Sequence, residues 1–312
     1  MDFIDTFAKR NFAFNQIPDL KGKVAIITGS NTGIGKVCAL EMAKQGATVI
    51  LACRNKEKTL KVVDEIKAHT GNQNVEFIQL NLLKLASVKE FADQFLARHS
   101  ELHILMNNAG VMMCPFGLSE DGIETQFATN HVAHFYLTML LLPVLEKSAP
   151  SRIINVSSIG HRMPFKALNL ESISDPAKYN KFIHYAKSKT CNILFTRELS
   201  KRLEQKGVNN VYVNANHPGG VKTDLYRHTS SILNFFVNKF LITPEDGALT
   251  QLYLATSPDV EQKPIKGEYY VPFANAAKPQ GVAASEDGPL KLWEFTENLL
   301  KEKVPGYQGA PI

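Results

Sequence analysis

Cysteine is scarce in this sequence, with four residues at 38, 53, 114 and 191 and no CxxC spacing. A disulfide framework is therefore not expected, and the thiols suit core or pocket positions in a reducing compartment. Long apolar runs are missing too. The longest, 139–145, is interrupted by Pro143 and is far too short to span a bilayer. No stretch reads as a secretory signal, so the expected location is the cytoplasm or the cytoplasmic face of an intracellular membrane or lipid surface. Neither sign of charge dominates: 35 Lys and Arg against 30 Asp and Glu leave a formal +5, scattered along the chain. No basic run is interleaved with aromatics, so nucleic acid is not an expected partner. Repeats and low-complexity segments are also absent. What remains, 44% hydrophobic and 21% charged residues, is an ordinary globular composition.

The chain alternates strand and helix. Strands are expected at 24–27, 48–53, 75–80, 102–106, 152–157 and 211–216, with a short seventh at 268–271. Helices are expected at 36–45, 56–69, 87–98, 122–142 (its end disturbed by Pro143) and 179–204. Strands separated by helices of this length imply a parallel sheet covered on both faces. The alternation runs to about residue 271 without a linker, which favours one doubly wound, Rossmann-type α/β domain over two. An arm at 1–19 and a C-terminal extension at 273–312, packed on the same domain, complete the expected layout. Asn155-Val156-Ser157 matches a glycosylation sequon, but it falls in a strand expected to be buried.

The stretch from Val24 to Lys36 organises the rest. A β-branched, uncharged run leads into Gly29, Gly33 and Gly35, and a helix follows. Gly29 lets the chain turn, Gly33 brings backbone N–H groups close to a ligand, and Gly35 lets the helix start against the strand. An anion at that terminus meets unpaired amides and the positive end of the helix dipole. An ATPase loop is excluded by residue identity, because Ser30 stands where its first Gly is needed and Val37 follows Lys36.

The spacing Thr28-Gly29-Ser30-Asn31-Thr32-Gly33-Ile34-Gly35 resembles the nucleotide loop of the short-chain dehydrogenase/reductase family. Asn107-Asn108-Ala109-Gly110 after the fourth strand matches that family's next motif. Tyr185-Ala186-Lys187-Ser188-Lys189 puts a phenol and an ammonium on one helical face. A free phenol has a pKa of about 10, and a nearby cation favours the phenolate and lowers it. Ser158, just beyond the fifth strand, is placed to bond the same substrate oxygen. Asn130, in Gln126-Phe127-Ala128-Thr129-Asn130-His131, completes the resemblance to an Asn-Ser-Tyr-Lys tetrad, in which the corresponding Asn holds a water linked to the catalytic Lys. His131 and His134 lack a third metal ligand at a suitable spacing and read as hydrogen-bonded residues at the core edge, so no metal is expected. Pro218, Gly219, Val221 and Thr223 match the family's segment beside the nicotinamide.

In the Rossmann arrangement an acid ending the second strand accepts bonds from the NAD ribose, whereas a nearby Arg suits the 2′-phosphate of NADP. Here Cys53 holds the acid position and Arg54 follows. The expected cofactor is NADP(H); the bland alternative is that Arg54 only solvates a strand end. Thr32 is not the basic residue that some NADP-using relatives carry in the loop. Asn81 and Leu82 fall where the family approaches the adenine. The resemblance covers about residues 20–272. Within the family it is closest in appearance to the retinol dehydrogenase-like branch, through Ile50-Leu51-Ala52-Cys53-Arg54, the 27-residue interval from Ser158 to Tyr185, and the 192–199 stretch.

The resemblance implies hydride transfer between NADP(H) and an alcohol/carbonyl pair. The alternative from another class is a catalytically silent NADP(H)-binding regulatory protein. Residues 225–242, rich in Ile, Leu and Phe, read as a lid over an apolar pocket or as a subunit interface. An apolar aldehyde or ketone is the expected substrate, and a homodimer is implied by resemblance. Phe3, Ile4, Phe7, Phe12 and Phe14 among Lys9 and Arg10 leave two readings for the arm: packing on the body or a subunit contact, and shallow lipid-surface anchoring.

Overall fold

Strand β1, Val24–Thr28, is almost wholly buried, and its residues divide between two cores. The computed structural model describes residues 8–163, 165–222 and 241–312. Beside β1 run β2 (Thr48–Cys53), β3 (Val75–Gln79), β4 (Ile104–Asn107), β5 (Ser151–Val156), β6 (Val211–Asn216), β7 (Tyr269–Val271) and β8 (Asn275–Ala277). Among the described residues they form one eight-stranded sheet in the order β3-β2-β1-β4-β5-β6-β7-β8. All pairings are parallel except β7 with β8. The strand order reverses between β1 and β4, which opens a crevice at their C-terminal ends, where ligands of such sheets bind.

Among the described residues the α-helices are α1 (Gly33–Lys44), α2 (Lys56–Thr70), α3 (Leu85–Arg98), α4 (Thr125–Phe127), α5 (Ala133–Lys147), α6 (Lys181–Gln205), α7 (Pro244–Thr256), α8 (Asp259–Gln262) and α9 (Gly288–Lys303). Alternation along β1 sends Ala25 and Ile27 into a core with Met42, Ile66 and Leu252, on the side of α1, α2 and α7. Ile26 points the other way, into a core with Phe91, Phe135, Leu194 and Trp293, on the side of α3, α5, α6 and α9. Local chemistry sets the helix ends. Asn55 Oδ1 accepts from Lys58 N at 2.8 Å to start α2, and Gly71, at φ 73°, stops it. Asn180 Oδ1 accepts from Phe182 N and Ile183 N to start α6.

The sheet has one strand more than expected. β8 returns through Phe273 and Ala274, both left-handed at φ 63° and 61°. Neither residue is a usual choice for such a hairpin turn, so the sequence carries no turn signal there. Tertiary contacts hold it instead: Asn11 N donates to Phe273 O at 3.0 Å, and the Arg10 guanidinium lies 4.8 Å from the Phe273 ring centre.

The helix expected over 122–142 is a continuous helical run from Thr125 to Lys147 with a change of winding inside it. Glu124 caps a short first turn by accepting from Gln126 N and Phe127 N, a π turn occupies Ala128–Val132, and α5 then runs through Pro143 to Lys147. The arm lies on the body from residue 8 onward. Phe12 and Ile17 are buried, Phe12 meets Tyr253 edge-on with ring centres 5.6 Å apart, and Arg10 pairs with Asp246 at 2.7 Å. Phe3, Ile4 and Phe7 lie outside the described residues, as do Thr223 and residues 225–240 of the expected lid. Ile242 is strapped to the body, its N–H donating to Gly220 O at 2.8 Å and its carbonyl accepting from Lys222 N. In the C-terminal extension, α9 packs on α6, where Arg202 stacks 4.4 Å over Trp293, and on the π turn, where His131 Nε2 lies 3.1 Å from Thr296 Oγ1. The Asn155 side chain of the sequon is buried and bonded to Asn107 and Thr196. No described helix is long and apolar enough to cross a membrane.

Candidate active site

The glycine loop closes against the segment that follows β4. A methyl group on Gly29 would sit 2.9 Å from Ala109 Cα, and one on Gly35 would sit 2.6 Å from Asn108 Nδ2. Glycine is therefore required there for close approach, and Gly29 and Gly33 also adopt φ of 65° and 53°. Ser30 is buried with its hydroxyl on Ile27 O at 2.8 Å, and Asn31 Nδ2 donates to Thr59 Oγ1 at 3.1 Å. Thr32 precedes α1 without a side-chain cap, and the first turn, which includes Ile34, carries no acidic residue. With no side chain capping it, this helix start has the form of a terminus suited to an anion.

At the end of β2, Cys53 is buried 3.7 Å from Ser30 Oγ, and burial pushes its thiol pKa up. Arg54 is exposed, its carbonyl held by Gln79 Nε2 at 3.1 Å. Asn81 Oδ1 accepts from Leu83 N, which folds the turn around Leu82 after β3. An uncapped helix start, a cradle that a Cβ would fill, and a guanidinium where a carboxylate is missing fit a dinucleotide bearing an extra phosphate.

Asn130, Ser158, Tyr185 and Lys189 converge around two glycines. A methyl on Gly160 would lie 3.3 Å from Tyr185 Cε1 and 3.4 Å from Ser158 Oγ. One on Gly110 would lie 3.2 Å from Asn130 Oδ1 and 3.3 Å from Lys189 Nζ. Tyr185 and Lys189 are 6% and 4% exposed on α6, so this face of the helix is not a solvated one. Lys189 Nζ donates to Val156 O at 2.9 Å, and burial lowers its pKa to about 8. Asn130 uses both ends of its amide on the loop: Oδ1 accepts from Val111 N at 2.9 Å, and Nδ2 donates to Val111 O and to Ser188 Oγ. The π turn explains how an Asn sits inside a helical run. It re-aims that residue at the neighbouring loop, a recurrent use of such turns.

After β6, Pro218 leads into Gly219 at φ 95°, whose N–H donates to His217 Nδ1 at 3.1 Å. Val221 is buried and bridges to Ile242. Thr223 lies outside the described residues. Arg54, Asn81 and Leu82 stand at the ends of β2 and β3, across β1 from the tetrad.

Several participants escaped the sequence reading. Ser188 lies inside the Tyr-x-x-x-Lys motif, and its hydroxyl donates to Tyr185 O at 2.8 Å while accepting from Asn130. Thr28 Oγ1 accepts from Asn108 N at 3.0 Å and Ala109 N at 2.9 Å, joining the two cofactor motifs. Asn192 Nδ2 shares Val156 O with Lys189, at 3.0 Å. The signal the sequence offers for Asn192 is an amide, a poor helix former, inside a helical run.

The family model for short chain dehydrogenases matches residues 23–232. Human retinol dehydrogenase 11 is 42% identical over 283 residues, covering 90% of this chain and 86% of that protein. A crystal structure of a protein from Mycobacterium paratuberculosis superposes with a TM-score of 0.74 at 32% identity, covering 93% of this chain and 97% of that one. A short chain dehydrogenase from Shigella flexneri 2a strain 301, complexed with NADP, has a TM-score of 0.63 at 26% identity, covering 80% of this chain and 97% of the other. With this likeness spanning nearly all of the chain, and the family's motifs meeting in one crevice, the protein belongs to the short-chain dehydrogenase/reductase family, in its retinol dehydrogenase-like branch.

Proposed function

We propose that this chain is an NADP(H)-dependent oxidoreductase that interconverts an apolar aldehyde or ketone and its alcohol. The observation that carries the reading is the tetrad around Gly110 and Gly160, set beside an uncapped helix start. NADP bound to the Shigella relative supports the choice of cofactor, and the name of the human relative supports an apolar alcohol/carbonyl pair.

Bound NADP(H) supplies the hydride or accepts it. The loop 29–35, Asn108, Ala109, Gly110, Pro218, Gly219 and Val221 would hold it, with Arg54 the residue for the 2′-phosphate and Asn81 and Leu82 those for the adenine end. In reduction, Tyr185 protonates the developing alkoxide, and in oxidation it removes the hydroxyl proton. Ser158 bonds the same oxygen, so charge that builds there meets a fixed donor. Lys189, cationic below about pH 8 by its lowered pKa, favours the Tyr185 phenolate and would bind the nicotinamide ribose. Asn130 maintains the water-linked proton path to Lys189, its side chain anchored on Val111.

The test is an NADPH-oxidation assay across carbonyls of graded apolar size, with Tyr185→Phe as the control. Turnover that rises with apolar size and is lost in the variant supports the reading. Retained NADPH binding without turnover across the panel would instead favour a silent cofactor-binding protein.

A further inference from the structure

His134 is a buried imidazole with no part in the proton chemistry above, and it touches two elements of the site at once. It lies one helical turn beyond Asn130, is 2% exposed, and its Nδ1 is 3.2 Å from the main-chain oxygen of Asn130. Its Nε2 is 2.9 Å from Thr28 Oγ1. A carbonyl oxygen only accepts, so Nδ1 carries the hydrogen and Nε2 accepts; the Thr28 hydroxyl, which also has Met106 O at 3.4 Å, donates to Nε2 over the shorter contact. Burial lowers the imidazole pKa to about 4, with the Lys189 charge acting in the same sense against the bond to Asn130, so the ring stays neutral near neutral pH. The same Thr28 oxygen accepts from Asn108 N and Ala109 N. The 108–111 segment is thus held twice by one turn of helix: at Val111 by the Asn130 side chain, and at 108–109 by His134 through Thr28.

We propose that His134 is a positioning residue that couples the Asn130 carbonyl, at the Lys189 proton path, to the cofactor-holding segment 108–110 through Thr28. The proposal rests on the NADP(H) oxidoreductase reading. A space-filling role would need neither ring nitrogen to find a partner, whereas both do, one on each element.

The two arms of the coupling separate by substitution. An asparagine amide takes roughly the place of Nδ1 and a glutamine amide roughly that of Nε2. His134→Leu, His134→Asn and His134→Gln are compared with the wild type, as full-length protein, for NADPH affinity by fluorescence, kcat and KM for a carbonyl, and cofactor-free melting temperature. His134→Leu should weaken NADPH binding and lower kcat, each about five- to tenfold, as expected for one lost buried hydrogen bond apiece. His134→Gln should recover NADPH affinity but not kcat, and His134→Asn should recover kcat but not affinity. If the three variants lose only melting temperature, with affinity and kcat unchanged, the imidazole merely packs and the proposal fails. It fails equally if affinity and kcat fall together in all three with neither rescue. A wild-type protein that binds no NADPH would overturn the oxidoreductase reading and this proposal with it, whereas a fully active wild type with indifferent variants overturns only the role of His134.

Discussion

Replacing Lys189 by Met should destroy activity and, at neutral pH, make the cofactor-free protein more stable. Lys189 is 4% exposed, and burial lowers its pKa from 10.5 to about 8. At 1.36 kcal/mol per pKa unit, holding the charged ammonium in that place costs about 3 kcal/mol relative to the unfolded chain. Methionine fills a similar volume without the charge. It forfeits the bond to Val156 O, worth about 1 kcal/mol net, but that carbonyl keeps Asn192 Nδ2 at 3.0 Å and is not orphaned. The balance is about 2 kcal/mol in favour of Met, or about 3 °C in melting temperature for a chain of this size. The pH dependence carries the sign. Below about pH 8 the lysine is charged in both states and the wild type bears the full penalty. Between there and its ordinary 10.5 the unfolded chain binds a proton that the folded one does not, so wild-type stability rises relative to the variant and the gap closes. Urea unfolding of both proteins without cofactor, at intervals from about pH 7 to about pH 10, measures this. A Met variant less stable than wild type at neutral pH, or a difference that is flat with pH, would refute the reasoning.

Other consequences are as concrete. Arg54→Ala should weaken NADPH binding at least tenfold more than NADH binding at fixed ionic strength, since a charge-assisted contact of about 1.5–3 kcal/mol goes with the extra phosphate; equal losses would leave Arg54 as a solvated strand end. Gly110→Ala should lower kcat by about tenfold to a hundredfold in a folded protein, because the new methyl crowds Asn130 Oδ1 at 3.2 Å and Lys189 Nζ at 3.3 Å; an unchanged kcat would mean these groups need no fixed spacing. Phe12→Ala should lower stability by about 3 kcal/mol in urea unfolding, because the ring is buried against Tyr253; a negligible change would show that the arm is held elsewhere.

What the sequence disclosed depended on how local the cause was. Short apolar runs and intervening amphipathic helices specify a parallel sheet, and all seven expected strands are present. β8 was hidden because its turn uses Phe273 and Ala274 in left-handed conformations, held by Asn11 and Arg10 from the far end of the chain. No local pattern reports a contact that distant. The tetrad was legible because Tyr185 and Lys189 lie four residues apart on one helix and the other motifs follow in order. The π turn was not, because the partner that Asn130 meets from within it, the backbone of Val111, is brought there only by the fold. The contacts of Thr28, His134 and Asn192 depend on which strand ends become neighbours, which only the folded sheet decides.

The central claim is proton transfer by Tyr185 coupled to hydride transfer with NADP(H), and a single-turnover comparison tests it most directly. Wild type and Tyr185→Phe are each loaded with NADPH and mixed with a medium-length apolar aldehyde, and loss of nicotinamide absorbance is followed. The account predicts that both bind NADPH with similar affinity and melt within a few degrees of each other. It predicts that the variant consumes NADPH about a hundredfold to ten-thousandfold more slowly, the usual weight of a general acid. A variant that consumes NADPH at the wild-type rate would contradict it.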